Sequence, residues 1–128
     1  MKTEVAKGIE ELKRQFNPSP LIVREDDQGG AYIIIESLPL GSKYQPSSTW
    51  FGFQMTAQYP YADIYPIFIG EEVTRVDGVA FAAPISRGNK FEGRPAIQVS
   101  RKNAAAQNGL QKATFKILKV LDFLEKLP

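Results

Sequence analysis

Acidic side chains are the first groups in this chain that could do chemistry. Glu71 and Glu72 are adjacent, and Asp77 follows in the same polar segment. Paired carboxylates can supply oxygen ligands to a divalent cation, or one of them can work as a general acid with a raised pKa. The spacing of these three residues matches no known metal-binding loop, so a charged turn is the favoured interpretation. We predict no metal site and no cofactor.

The absence of two residue types narrows the chemistry further. The 128 residues include no cysteine and no histidine. Without them the chain can form no disulfide, no zinc site of the usual kind, no serine–histidine relay and no thiolate nucleophile. The paired glycines at 29 and 30 and the glycine at 88 do not form a phosphate-binding pattern. Enzyme mechanisms that depend on a histidine or a cysteine side chain are therefore excluded.

Basic residues form a cluster between positions 87 and 102, and Glu92 is the one acidic residue in that segment. They could contact phosphate or an acidic protein surface, or they could simply be solvated. The net charge of +2 argues against general nucleic-acid binding. A small domain that binds anions or nucleic acid through this cluster nevertheless stays open as an alternative. The cluster comprises Arg87, Lys90, Arg94, Arg101 and Lys102.

Aromatic residues near the middle of the chain could stack on bases or on a peptide. Trp50, Tyr59, Tyr61 and Tyr65 are the candidates. In a sheet protein such residues more often pack in the interior, and we expect Tyr59 and Tyr65 to be core. For Tyr61 both interpretations remain open.

The segment from Thr49 to Ile69 must position these groups. Apolar and polar residues alternate along its first half, which predicts a strand with one buried row. Pro60 and Pro66 then remove two backbone donors and force the chain out of the ladder before a second strand begins at Ile67. The predicted buried row is Phe51, Phe53, Met55 and Ala57.

The flanking segments predict an α+β domain. Helical spacing of apolar residues indicates a helix from about 4 to 16, whose buried stripe is Val5, Ile9, Leu12 and Phe16. A second helix is indicated from about 110 to 127, with Asn108 as its N-cap and with an apolar stripe of Leu110, Ala113, Ile117, Val120, Leu121 and Leu124. Strands are expected over 21–25 and 31–37, so that four strands form an antiparallel meander. Residues 70–103 carry many glycines and prolines and read as a long irregular excursion, where a site is expected.

Length and composition predict one domain over residues 1–128. No apolar run approaches the roughly 20 residues that span a bilayer, and no secretory signal is visible. A cytoplasmic protein without a membrane partner is the expectation.

This order of elements resembles the ubiquitin-conjugating enzymes. The segments Phe51-Gly52-Phe53, Tyr59-Pro60-Tyr61 and Tyr65-Pro66-Ile67-Phe68 are similar to that family's strand, Tyr-Pro turn and strand. Gly93 to Arg101 looks most like divergent bacterial members, which accompany ubiquitin-like conjugation or antiviral defence operons. The resemblance implies the family's fold: an N-terminal helix, a four-stranded meander, an irregular excursion and a covering helix.

The resemblance also implies a catalytic cysteine between Gly93 and Val99, and the best-matched residue there is Ala96. The family's His-Pro-Asn segment is missing too: Pro84 could match its proline, but Asn89 has a different spacing. An alanine methyl group cannot carry a thioester. The chain is therefore expected to be a non-catalytic relative that binds partners. The alternative is an active enzyme whose cysteine has been replaced at position 96.

The partners implied by the resemblance are a ubiquitin-like protein, its activating enzyme, or both, with nucleic acid disfavoured. In the family, the turn between the third and fourth strands and the first helix form the surface for activating enzymes and ligases. Tyr61, Ile64, Lys13 and Arg14 occupy those places here. Arg87, Lys90, Arg94 and Arg101 would surround the vestigial active site.

Overall fold

The computed structural model describes residues 1–101 and 110–128. Helices cover Thr3–Gln15 (α1) and Ala113–Glu125 (α2). The first four strands are Leu21–Glu25 (β1), Ala31–Pro39 (β2), Tyr44–Gln45 (β3) and Ser48–Met55 (β4). The other four strands are Ile67–Gly70 (β5), Thr74–Arg75 (β6), Ile85–Phe91 (β7) and Arg94–Val99 (β8).

The principal sheet has six strands in the order β1-β2-β4-β5-β8-β7. Every neighbouring pair is antiparallel, and β3 pairs with β6 in a separate two-stranded ribbon. The predicted α+β class is confirmed. The predicted count of four strands is corrected: β1, β2, β4 and β5 form a meander, and β8 and β7 extend it.

Both helices pack on one face of this sheet, which we call the inner face. The alternation in β4 predicted three members of the buried row correctly, because Phe51, Phe53 and Met55 have no exposed surface. The fourth, Ala57, lies beyond the end of β4 and is only half-buried. Gly8 allows α1 to lie close to the sheet: a Cβ atom there would stand 2.6 Å from the Met55 side chain and 2.7 Å from the Tyr59 ring. The helical residues buried in the same core are Val5, Ile9 and Leu12 of α1 and Ala113, Ile117, Val120 and Leu124 of α2.

The predicted irregular excursion over 70–103 is wrong for much of its length, because it contains β6, β7 and β8. The sequence of β7 does not show the alternation of apolar and polar residues that predicts a strand, because its middle residues are exposed and include Gly88. The hairpin turn between β7 and β8 uses Glu92 at φ 49° and Gly93 at φ 79°. Two consecutive positive φ values are typical of the tightest hairpin turns. Pairing with β5 makes these strands part of the sheet, and periodicity alone does not reveal that pairing.

The tip of this hairpin, residues 90–95, lies over the outer face of the sheet. Phe91 stacks on Phe68 with ring centroids 5.0 Å apart and also contacts Tyr32 and Trp50. Gly52 leaves room for that ring, since a Cβ atom there would lie 2.5 Å from Phe91. The hairpin therefore covers a second, smaller apolar cluster on the face opposite the helices.

Two arginine–glutamate pairs hold the edges of this hairpin tip. Arg24 of β1 donates two hydrogen bonds to Glu92, at 2.7 and 2.9 Å. Arg94 donates to Glu36 of β2 at 2.8 and 3.4 Å. Solvent-exposed ion pairs of this kind contribute little to stability, so the apolar contact of Phe91 is the stronger restraint.

The second helix begins at Ala113 rather than near residue 110. Lys112 occupies the N-cap position and makes no capping hydrogen bond through its side chain. The predicted N-cap, Asn108, lies outside the described residues. Neither helix in the described ranges has the length and apolar character needed to cross a bilayer.

Tyr44 fixes the far end of α2, and its removal should be measurable. Its buried hydroxyl donates to the Leu124 carbonyl at 2.5 Å. We expect Tyr44→Phe to lower the free energy of unfolding by about 1 kcal/mol at pH 7, because that carbonyl loses its donor. Urea denaturation measures the change. Tyr61→Phe, which alters an exposed ring, is the control and should have no effect.

The same variant has a predictable pH dependence. Burial raises the pKa of Tyr44 above its ordinary value of 10.0. The stabilisation by the neutral hydroxyl is therefore present below pH 10 and is lost as the pH rises through the raised folded-state pKa. Tyr44→Phe should show a shallower alkaline loss of stability than the wild type. An unchanged alkaline slope would contradict this assignment.

Candidate functional site

The turn between β4 and β5 and the start of α2 form one continuous surface. The Gln111 amide donates to the Pro60 carbonyl at 2.5 Å, and the Ala113 amide donates to the Tyr59 hydroxyl at 3.0 Å. The two prolines in the turn keep residues 60–66 out of the sheet ladder, so the turn can rest against the helix. These contacts fix the turn and the helix relative to one another.

Large apolar side chains on this surface are exposed to solvent. Tyr61 is 74% exposed, Phe115 60% and Leu110 56%, and Tyr65 is exposed as well. Scattered exposed apolar residues are normal, but aromatic residues grouped on a rigid support are typical of protein-binding sites. We call these four residues the tyrosine–helix surface.

A groove of about 150 Å³ lies in this surface. Leu110 and Phe115 supply its apolar lining, and the polar lining consists of Asp63, Gln111, Lys112, Lys116 and Lys119. Lys112 pairs with Glu11 of α1 at 3.2 Å, which also ties the two helices together. Lys119 forms no ion pair with any residue in the described ranges. The groove therefore combines an apolar wall, formed by Leu110 and Phe115, with the positive charge of Lys119, which suits a partner with acidic and apolar side chains.

The floor of the groove contains a buried ion pair. Lys116 has a side chain only 6% exposed, and its Nζ lies 3.1 Å from both carboxylate oxygens of Asp63. It also donates to the Arg101 carbonyl at 2.7 Å. Burial lowers the pKa of Lys116 below its ordinary 10.5, and the Asp63 carboxylate opposes that effect. This pair joins the turn, the end of the β8 segment and α2.

Within the turn, the structure separates residues that the sequence could not distinguish. Tyr61 is exposed, in keeping with its prediction as a contact residue, whereas Ile64 is only 3% exposed and packs in the core. Ile64 is therefore corrected from a contact residue to a packing residue. Tyr59 is buried as predicted, but Tyr65 is 41% exposed, so its prediction as core is wrong.

The predicted α1 residues lie on the solvent side of the last turn of that helix. Lys13 is exposed and pairs with Glu10 at 3.3 Å. Arg14 is exposed one turn after Glu11, the residue that contacts α2 through Lys112. Three residues after Glu11, Arg14 lies on the same side of α1 as the contact with α2.

The predicted basic cluster is dispersed by the fold. Arg87 donates to the carbonyls of Glu71 and Val73 at 2.7 and 2.6 Å, so it holds a turn. Arg94 is paired on the outer face, and Lys90 is exposed on the β7 edge. Lys102 lies outside the described residues.

Among the described members of that predicted cluster, Arg101 is the one with a hydrogen bond to a residue that lines the groove. Its guanidinium lies 4.6 Å from the ring centroid of Phe123 on α2, and its carbonyl accepts the hydrogen bond from Lys116. The structure thus provides no single basic patch formed by the described members of the cluster. An anion site built from the cluster as a unit has no support in this geometry.

Ala96 lies within β8 rather than in a loop. It has no exposed surface, and its Cα partners are Gly70 of β5 and Asn89 of β7. Its methyl group belongs to the outer-face cluster with Ile34 and Phe91. A side chain at position 96 is therefore shielded from solvent by this cluster.

The three acidic residues considered as metal ligands or general acids have structural partners. Glu71 accepts a hydrogen bond from the Gly88 amide, and Glu72 accepts one from the Thr49 hydroxyl. Asp77 accepts from the Val79 amide and pairs with Arg75, and these bonds lower the pKa of its carboxyl. In the part of the chain that the structure describes, no group of three or more acidic side chains could hold a metal ion.

Sequence reasoning missed the helical half of the tyrosine–helix surface. The apolar stripe predicted for the last helix included Leu110, which is exposed, and left out Phe115 and Leu118. Those two residues lie off the stripe, and Leu118 is 40% exposed. The sequence did contain a signal for this surface. A helix that buries one face has no need of large apolar residues on its other faces, so Phe115 and Leu118 could have been identified as candidate contact residues.

Comparison of the chain with protein-family models, with curated proteins and with solved structures found no match. Its function is therefore inferred from the residues and the geometry described above.

Proposed function

We propose that this protein is a non-catalytic, protein-binding relative of the ubiquitin-conjugating enzymes that serves a ubiquitin-like modification system, of the kind found in bacteria. The observation that carries the proposal is the tyrosine–helix surface: it presents exposed aromatic residues on the turn for which the resemblance implies partner binding. A ubiquitin-like protein, or the enzyme that activates it, is the proposed partner.

The arrangement of elements supports this proposal. β1, β2, β4 and β5 form a meander that α1 and α2 cover from one side, and the turn with the two Tyr-Pro steps connects β4 to β5. The sheet also differs from the implied four-stranded arrangement, since β7 and β8 extend it and their hairpin covers the outer face. Because this hairpin covers the outer face, partner binding is assigned to the helix side of the molecule.

The chemistry available to the chain supports a binding role. No thiol exists anywhere in the sequence, and Ala96 is buried in the outer-face cluster. A thioester carrier needs an accessible sulfur nucleophile. Tyr61 and Phe115, by contrast, offer the large rigid rings that commonly dominate protein interfaces, and Lys119 adds a charge that favours an acidic partner.

The test is capture of the partner by matched variants. Immobilised wild-type protein should retain a ubiquitin-like protein or an activating enzyme from a lysate of its source, as identified by mass spectrometry. Tyr61→Ala and Phe115→Ala should each weaken binding of the purified partner by about tenfold or more, because hot-spot truncations remove about 2 kcal/mol. Isothermal titration calorimetry measures the affinities.

The control for these variants is Val76→Ala. Val76 is an exposed apolar residue whose amide donates to the Lys43 carbonyl, and Lys43 in turn contacts the far end of α2. Its truncation should leave the affinity unchanged. The proposal fails if no protein of either class is retained, or if the tyrosine–helix variants bind as tightly as the control.

A further inference from the structure

The two edge strands of the principal sheet, β7 and β1, differ in how well they are protected against pairing with a further strand. At the β7 edge the register shifts between Ser86 and Asn89, and Gly88 adopts φ 84°. The Asn89 side-chain amide also donates to the carbonyls of Ser86 and Arg87, at 3.1 and 3.3 Å. Bulges and capped carbonyls of this kind prevent a further strand from pairing.

The β1 edge has no such protection. Its five residues pair with β2 in an unbroken register, from Leu21 opposite Ile35 to Glu25 opposite Ala31. Proline and glycine are absent from the strand, and Ile22 and Val23 are 45% and 37% exposed. A regular edge with exposed β-branched side chains is a template for pairing with another strand.

The hydrogen bonds at the ends of β1 show which backbone groups face outward. The Glu36 amide donates to the Pro20 carbonyl, and the Asp26 amide donates to the Gly30 carbonyl. Hydrogen-bonded pairs alternate along an antiparallel ladder, so Ile22 and Arg24 bond to β2. The amides and carbonyls of Leu21, Val23 and Glu25 therefore point away from the sheet, and no bond joins them to another element in the described ranges.

We propose that this edge pairs with the β1 strand of a second copy of the chain, antiparallel and centred on Val23, to form a homodimer with one continuous sheet. The two-fold arrangement matches each outward residue with an outward residue: Val23 with Val23, and Leu21 with Glu25. About six backbone hydrogen bonds result. The inference rests on the fold alone and is independent of the proposed function.

The charges on the strand fit a second copy in this register. Arg24 of one copy stands opposite Ile22 of the other, and Glu25 stands opposite Leu21, so no like charges are directly paired. Glu25 is also paired with the amino group of Met1 at 2.9 Å, and Arg24 is paired with Glu92. The symmetric register therefore brings β-branched side chains together at its centre without a repulsive contact.

Sedimentation of the purified chain over a range of concentrations tests the dimer. The wild type should shift from the monomer mass to twice that mass as the concentration rises. Val23→Pro should remain monomeric, because proline removes an outward amide that contributes nothing to the β1–β2 ladder. Val23→Lys should also remain monomeric, whereas Val79→Lys, which places the same charge at a remote exposed valine, should dimerise normally.

Amide hydrogen exchange provides an independent readout that does not need a variant. When about 90% of the protein is dimeric, exchange at Leu21, Val23 and Glu25 should slow by about tenfold, in proportion to the remaining monomer. Exchange at Ile22 and Arg24 should not depend on concentration. A chain that stays monomeric at all concentrations, a dimer that persists in both Val23 variants, or protection without this alternation would each overturn the proposal.

Discussion

Asp63→Asn should lower the free energy of unfolding by about 3 kcal/mol at pH 7, because it leaves the buried Lys116 ammonium without its carboxylate. The Arg101 carbonyl would be the remaining partner among those observed for that ammonium. Urea denaturation measures the loss. Because the pair supports the turn and the helix together, the same substitution should also weaken partner binding at the tyrosine–helix surface.

The Asp63 variant should also respond to pH in a definite direction. The pKa of Lys116 is already lowered by burial, and removal of Asp63 takes away the effect that opposes it. In the pH window between this lowered pKa and the ordinary 10.5, the unfolded state binds more protons than the folded state. Lys116 therefore makes stability rise with pH across that window, and the rise should be larger in Asp63→Asn than in the wild type.

The matched control lies on the same helix. Asp122 and Lys126 form an exposed pair at 3.1 Å with side chains 57% and 75% exposed. Asp122→Asn should therefore have little effect on stability and no comparable pH dependence. Adding Lys116→Met to Asp63→Asn should recover much of the loss, since an apolar side chain needs no counter-charge. Equal losses in the two asparagine variants would contradict this account.

Phe91→Ala should lower the free energy of unfolding by about 3 kcal/mol, because the ring is only 7% exposed and fills the space above Gly52. Trp50 is the single tryptophan of the chain, and its ring centroid lies 6.4 Å from that of Phe91. Its fluorescence therefore reports directly on the hairpin tip. We expect the emission to shift to longer wavelength as the indole becomes more exposed.

Phe115→Ala is the control for this variant, since it removes the same side chain from a position that is 60% exposed. Its stability should stay within about 0.5 kcal/mol of the wild type, with unchanged tryptophan emission. Added salt should change the emission little in either protein, because it weakens mainly the two arginine–glutamate pairs. A tip held by those pairs instead would be released by salt in the wild type.

These two predictions bear on the proposed function in different ways. The Asp63–Lys116 pair lies beneath the proposed binding surface, so its loss should affect stability and partner affinity together. The Phe91 cluster lies on the outer face, so its loss should affect stability and leave affinity at the tyrosine–helix surface largely unchanged. If partner affinity falls in Asp63→Asn and stays unchanged in Phe91→Ala, the result would support the assignment of binding to the helix side.

Local periodicity in the sequence was sufficient to determine the class and the inner face of the sheet. The alternation through Phe51, Phe53 and Met55 identified a buried row, and the helical spacing through Val5 and Ile9 identified a covering helix. These patterns repeat within a few residues, so they need no knowledge of distant partners. Composition alone likewise excluded thiolate and histidine chemistry, because the chain contains neither cysteine nor histidine.

Tertiary structure alone decided which candidate residues reach solvent and which meet one another. Ile64 and Tyr65 are neighbours in one turn, yet one is core and the other exposed, because α2 and the sheet cover only one side of that turn. β7 and β8 join the sheet through pairing with β5, and their curled tip places Phe91 over Gly52. Such contacts join residues far apart in the chain, and no local pattern encodes which distant side chain will lie above a given position.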